Sequence, residues 1–223
     1  AWVARYDGPG NDYDTANALA VDVAGNVYVT GRSAGSESES DYATIKYNPD
    51  GSEAWVARYD GPGNDYDTAN ALAVDAAGNV YVTGGSRGSE SFNDYATIKY
   101  NPDGSEAWVS RYNGPGNDSD WAHELAVDEA GSVYVTGNSE GSESGSDYAT
   151  IKYNSDGSEA WVSRYDGPGN DDDEAYALAV DEAGNVYVTG QSWVSEGAAY
   201  DYAAYDYATI KYNSDGSEAW VSR

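Results

Sequence analysis

Carboxylates and amides crowd one short stretch of this chain. Residues 166–174 read Asp-Gly-Pro-Gly-Asn-Asp-Asp-Asp-Glu. Calcium takes roughly six to eight oxygen ligands, and closely spaced carboxylates and amides can supply them. Asp166, Asn170, Asp171 and Asp173 are therefore the candidate metal ligands, and calcium is the candidate cofactor. The spacing is not that of an EF-hand, and Asp and Asn beside Gly and Pro are also ordinary turn formers. Sparser versions of the same loop begin at Asp7, Asp60 and Asn113.

The chain has one histidine, His123, and no cysteine. Nucleophilic catalysis of the Ser-His-Asp kind needs a nucleophile and an orienting acid around the imidazole. Ser119, Asp120 and Glu124 are near in sequence, but no Gly-x-Ser-x-Gly nucleophile elbow occurs. A lone histidine without cysteine also makes a poor start for a zinc site. No catalytic residue is assigned, and the chain is expected not to be an enzyme.

His123 has a different meaning once the chain is aligned on itself. It occupies the position of Asn17, Asn70 and Tyr176, just as Trp121 occupies that of Thr15, Thr68 and Glu174. Divergence between otherwise near-identical copies makes these eight the candidate ligand contacts, expected together near one mouth of an axis. Tyr200, Tyr202 and Tyr205 lie in an insertion of the fourth copy and are candidates for aromatic contact with a partner or a sugar. Asn117-Asp118-Ser119 is the single N-x-S/T sequon, so Asn117 is the candidate glycosylation site.

These residues are positioned by short strands. In the first copy, strand A comprises residues 16–21 and reads Ala-Asn-Ala-Leu-Ala-Val. Strict alternation puts Ala16, Ala18 and Ala20 on one face and Asn17, Leu19 and Val21 on the other. Neither face is charged, so the strand is expected to pack on both. Asp22-Val23-Ala24-Gly25-Asn26 is a turn, and Asn26-Val27-Tyr28-Val29-Thr30 a β-branched and aromatic strand B. Strand C is Asp41-Tyr42-Ala43-Thr44-Ile45-Lys46-Tyr47, followed by the turn signal Asn48-Pro49-Asp50-Gly51 and strand D, Ala54-Trp55-Val56-Ala57-Arg58-Tyr59. The tyrosines repeat at fixed strand positions, which points to packing within and between units. The loops between B and C differ where the strands do not, and variable loops on a rigid scaffold suit recognition.

The Ala-Trp-Val motif recurs at Ala1, Ala54, Ala107, Ala160 and Ala219, a spacing of 53 residues three times and 59 once. Four strands per unit at this period predict an all-β propeller of four-stranded antiparallel blades. A parallel β-helix is the alternative, although its coils are usually shorter. The complete A-B-C-D sets span 15–59, 68–112, 121–165 and 174–223 within a single repeat domain, 1–223, with A innermost and D outermost. Residues 1–6 are left as a fifth D strand. The run from Asp14 to Gly31, with its Ala-Val-Asp-x-x-Gly-Asn-Val-Tyr-Val-Thr-Gly core, resembles the SBBP repeat, a bacterial β-propeller repeat with NHL-like blades. The resemblance covers every unit, the third departing by Ser132 where the others have Asn. It implies a propeller and an extracellular or cell-surface location, and it offers no catalytic residues.

With 223 residues, the chain can bury a sizeable core. A net charge of −28 opposes nucleic acid and anionic membrane surfaces. No run is long and apolar enough to span a bilayer as a helix. Position 1 is not Met, so a processed product or an internal segment of a longer array is expected. The functional expectation is an extracellular structural protein. It assembles with itself head to tail, as a filament or surface array, through a terminal D strand. The alternative is a lectin-like module that binds glycans by its loops or channel mouth.

Overall fold

The computed structural model describes residues 1–36, 38–90, 92–194 and 204–223, and is all-β over them. Its strands form four antiparallel four-stranded sheets, each in A-B-C-D order. Sheet 1 holds β1 (Asp14–Val21), β2 (Val27–Ala34), β3 (Ser40–Tyr47) and β4 (Glu53–Tyr59). Sheet 2 holds β5 (Asp67–Val74), β6 (Val80–Arg87), β7 (Asn93–Tyr100) and β8 (Glu106–Tyr112). Sheet 3 holds β9 (Asp120–Val127), β10 (Val133–Glu140), β11 (Ser146–Tyr153) and β12 (Glu159–Tyr165). Sheet 4 holds β13 (Asp173–Val180), β14 (Val186–Val194), β15 (Ala204–Tyr212) and β16 (Glu218–Ser222). These are propeller blades in their strand order and repetition. They group into two compact units, Ala1–Tyr112 and Asn113–Arg223. Within each unit the two A strands are neighbours, β1 with β5 and β9 with β13.

The turns follow from side chains that stand in for missing backbone partners. Asp22 Oδ1 accepts the amides of Ala24 and Asn26, both at 2.9 Å, while Oδ2 accepts the Asn26 side-chain amide at 2.7 Å and the Tyr28 hydroxyl at 3.0 Å. These bonds, the Asn26 side chain first, lower the Asp22 pKa. Gly25 supplies the positive φ of 83° that the turn requires. Ser132 keeps only the backbone part of this network, to Asp128 Oδ1 at 2.8 Å. Between C and D, Asp50 Oδ1 accepts the amide and the hydroxyl of Ser52 at 2.9 and 2.6 Å.

Strict alternation fails in every A strand. Register shifts between Ala16 and Ala18, with Asn17 as the extra residue. Asn70, His123 and Tyr176 are extra in the same way. Such a bulge resets the face of everything after it. Ala69 therefore shares one apolar cluster with Leu72 and Val74 instead of opposing them. Gly31 pairs with Ala16 at the bulge, and a Cβ there would sit 1.9 Å from the Thr15 carbonyl oxygen. The expectation of packing on both faces also fails for β1, where Leu19 and Val21 are 68% and 59% exposed.

Tyrosines join one sheet to the next within a unit. In the first unit, Tyr28 and Tyr42 leave sheet 1 and enter a cluster with Val80, Val82, Ala96 and Ile98 of sheet 2. The Tyr42 hydroxyl donates to the Ala96 carbonyl at 3.3 Å. In the second unit, Tyr134 and Tyr148 do the same to Val186, Val188, Ala208 and Ile210. Tyr148 donates to the Ala208 carbonyl, again at 3.3 Å. On the D strands, Arg111 clamps its own sheet by donating to Ser86 Oγ (2.6 Å), Ser86 O (2.7 Å) and Asp94 Oδ2 (2.9 Å). Arg58 and Arg164 form the matching ion pairs with Asp41 and Asp147, each at 2.8 Å.

Candidate functional site

Three features could carry function: the bulge residues, the acidic clusters and a partly covered sheet face. Each bulge aims one of the variable residues out of the alternating pattern. In the first unit Asn17 donates its side-chain amide to the Ala69 carbonyl at 2.8 Å, which ties neighbouring A strands together. In the second unit the two bulge residues touch each other, His123 and Tyr176 having ring centroids 5.8 Å apart. His123 Nε2 also lies 2.8 Å from Asn138 Oδ1. The Tyr176 hydroxyl donates to Glu174, and burial followed by that bond pushes its pKa up to about 12. Thr15 borders a cavity on sheet 1, and Trp121 and Thr68 are half-buried. Tyr205 is 44% exposed, whereas Tyr200 and Tyr202 lie outside the described residues. Asn117 is exposed, with φ of 50°, and accepts the Asn113 amide at 2.7 Å.

The D-to-A loops do not gather the four proposed calcium ligands. Asp166 and Asp173 come together, but with Asp147 of β11, one carboxylate oxygen of each lying within 4.8 Å of the others. Asn170 instead takes a left-handed turn conformation and donates to the Glu143 carbonyl at 3.3 Å, while Asp171 accepts the amide of Asp172 at 3.0 Å. Those two act as turn formers. The first unit holds a matching cluster, Asp41, Asp60 and Asp67. Both clusters could hold a metal ion. Burial first, then neighbouring carboxylates, raises the pKa of Asp60 and Asp166. Burial is also the largest cause of the raised values of Asp67 and Asp173.

The two clusters differ in one respect that matters for a cation. Asp41 has both oxygens occupied, Oδ1 by Ser38 at 2.7 Å and Oδ2 by Arg58 at 2.8 Å. In the second unit Ser144 and Arg164 both bond Asp147 Oδ2, at 2.9 and 2.8 Å. Asp147 is 4% exposed, and its Oδ1 has no protein partner. Buried polar atoms are normally satisfied, so an orphan oxygen among carboxylates suits a bound cation or water. The repeated Asp at the head of strand C was the signal for this third ligand, which no contiguous loop motif contains.

The third feature is the partly covered face of sheet 1. A cavity of about 330 Å³ is lined by Val27, Val29, Ala43 and Ile45, with Trp2, Ala4 and Tyr6 at its side. Residues 1–6 form no strand, contrary to the expected fifth D strand, because no C strand is paired with them among the described residues. Their side chains nevertheless hold D-strand places. Trp2 Nε1 donates to the Pro49 carbonyl at 3.1 Å, as Trp55 does to Pro102 at 3.1 Å. Tyr6 accepts from Arg58 at 3.1 Å, as Tyr59 accepts from Arg111 at 2.9 Å.

No curated protein sequence matches the chain. Among solved structures, a protein described as a gluconolactonase is 15% identical over 91% of this chain and 61% of its own, with a TM-score of 0.44. The polysaccharide lyase Uly1 is 14% identical over 90% of this chain and 55% of its own, with a TM-score of 0.42. An α-L-arabinanase of Cellvibrio cellulosa is 12% identical over 92% of this chain and 75% of its own, with a TM-score of 0.39. The chain thus spans less than two thirds of the first two. The family model SBBP, described as a beta-propeller repeat, matches residues 2–36, 108–142 and 161–196. Each match begins at the tryptophan of an Ala-Trp-Val motif and runs on through strands A and B. Three segments of the chain thus match the SBBP β-propeller repeat.

Proposed function

We propose that the chain is a non-enzymatic interaction protein that assembles head to tail with copies of itself. The location consistent with its repeat type is outside the cell or on its surface. The observation that carries this reading is the state of residues 1–6. They hold D-strand side-chain contacts on sheet 1 but pair with no C strand among the described residues. The backbone groups of such a segment favour strand addition to another copy. The place that fits is beside β15, where β16 with the same Ala-Trp-Val motif sits. Residues 1–6 of one copy would displace β16 of another. Donor and acceptor are different surfaces, so the product is a ring or an open filament. Deleting residues 1–6 is expected to lower the sedimentation coefficient at a fixed concentration. Deleting residues 218–223 removes the competitor and is expected to raise it. Indifference to both deletions would overturn strand exchange.

Calcium is the proposed cofactor at Asp147, Asp166 and Asp173. Because folding raises the pKa of Asp166 and Asp173, their ionisation costs stability as pH rises through the raised values. A cation would relieve that cost at neutral pH and lose its effect as acid protonates the cluster. At calcium about a hundred times its dissociation constant, the melting temperature should rise by about 5 °C. Asp166→Asn, which copies Asn113, should abolish the rise. An equal calcium response in both proteins would remove the site.

A second reading, a glycan-binding module, is favoured by the exposure of Tyr176 and Tyr205, at 47% and 44%. Exposed aromatics beside Glu174 could stack on and hydrogen-bond a sugar. Binding on a glycan array by a chain that stays monomeric would support it over self-assembly.

A further inference from the structure

We propose that the exposed face of sheet 4, led by Tyr207, docks into the cavity on sheet 1 of a second copy. This rests on the head-to-tail reading and names the surfaces that meet. The same kind of interface occurs within each of the two compact units. In sheet 2 the counterparts of the cavity-lining Val27, Val29, Ala43 and Ile45 are Val80, Val82, Ala96 and Ile98, and Tyr42 of sheet 1 fills the space over them. In sheet 4 the space over Val186, Val188, Ala208 and Ile210 is filled by Tyr148 of sheet 3. Over sheet 1 the space is an open cavity.

The matching plug is present and unused. Tyr207 is the counterpart of Tyr42 and Tyr148, which are both 0% exposed, yet Tyr207 is 86% exposed. Thr189, whose counterparts Thr30, Thr83 and Thr136 are fully buried, is exposed on the same sheet. Sheet 4 thus presents its B and C strands as a finished surface that lacks the sheet it is shaped for. A face with this residue set fits one partner: a sheet carrying the Ala43-type carbonyl and its valine and isoleucine floor. In the docked pair, the Tyr207 hydroxyl donates to the Ala43 carbonyl, as Tyr42 does to Ala96 and Tyr148 to Ala208.

The register also accounts for a polar detail. Asp206 precedes Tyr207 as Asp41 precedes Tyr42, and Asp7 and Asp14 correspond to Asp60 and Asp67. Docking would bring Asp206 to Asp7 and Asp14, repeating the acidic cluster between copies. Asp14 Oδ1 is buried without a protein partner. Gathering like charges opposes association, so assembly should strengthen with ionic strength, the reverse of a salt-bridged interface.

Sedimentation velocity on the full chain and on Tyr207→Ala and Tyr207→Phe tests the proposal. Tyr207 is exposed in the single copy, so neither substitution should change the circular dichroism or melting of dilute protein. Tyr207→Ala should remain monomeric where the parent assembles. Tyr207→Phe keeps the ring and loses one hydrogen bond, and should weaken association by about fivefold. Assembly of Tyr207→Ala equal to that of the parent would overturn this interface while leaving head-to-tail assembly standing. A parent that stays monomeric at every concentration would overturn both. A dilution-independent monomer with Tyr207 protected from iodination would assign the face to the chain's own first sheet and overturn the second-copy proposal.

Discussion

Tyr42→Ala is expected to destabilise the protein by about 4 kcal/mol, while Tyr207→Ala changes its stability by less than about 0.5 kcal/mol. The two residues stand at the same place in their repeats, Asp-Tyr-Ala-Thr-Ile-Lys-Tyr. Tyr42 is 0% exposed, crosses to sheet 2, and meets Tyr59 of its own sheet edge-on at 5.6 Å. Removing its ring would leave a void between two sheets and take one of its two side-chain donors from the Ala96 carbonyl, which keeps that of Thr83. Burial, the largest cause, raises its pKa well above the ordinary tyrosine value, so it stays neutral and keeps its donor proton. Tyr207 loses nothing in a single copy because little covers it. Urea denaturation of dilute protein checks the pair. Equal costs would mean that the repeats are not packed by tyrosine insertion.

The second large effect concerns the arginine clamp. Arg111→Ala should cost about 3 kcal/mol, and Arg111→Lys should recover less than half of it. The guanidinium reaches across β7 to β6 and binds three acceptors there and on β7, plus Tyr59 from the neighbouring sheet. Its partner Asp94 is 6% exposed, so truncation leaves a nearly buried carboxylate without its counter-charge. Lysine restores the charge but cannot span Ser86, Asp94 and Tyr59 with one planar fork. Arg111 keeps some solvent contact, its side chain being 22% exposed, which places the cost at the lower end for a buried pair. Thermal denaturation of both variants would settle the order, and a lysine as good as arginine would contradict the clamp.

The sequence shows its strands and turns because these depend on neighbours in the chain. Asp22 and Asn26 make their bonds within one five-residue turn, so their roles can be read from that turn alone. The bulge at Asn17 is different. It is defined by two residues opposing one on β2, and the composition of β1 gives no sign of it. The acidic clusters were half legible for a similar reason. Asp166 and Asp173 share a loop, but Asp147 comes from the middle of the preceding repeat and joins them through packing between sheets. Nor does the sequence distinguish Tyr207 from Tyr42, since the seven residues around them are the same. Only their neighbours in space differ.

Head-to-tail docking is tested most directly by mixing two variants, each damaged at one face. Tyr207→Ala keeps the sheet 1 cavity and loses the plug. Ala43→Leu fills the cavity and keeps the plug. Sedimentation velocity of each alone, after its fold is confirmed by circular dichroism, should show monomer. Their equimolar mixture should form a one-to-one dimer and stop there, because only one intact cavity and one intact plug remain between the two chains. A mixture that stays monomeric while the parent assembles, or either variant assembling by itself, would contradict the account.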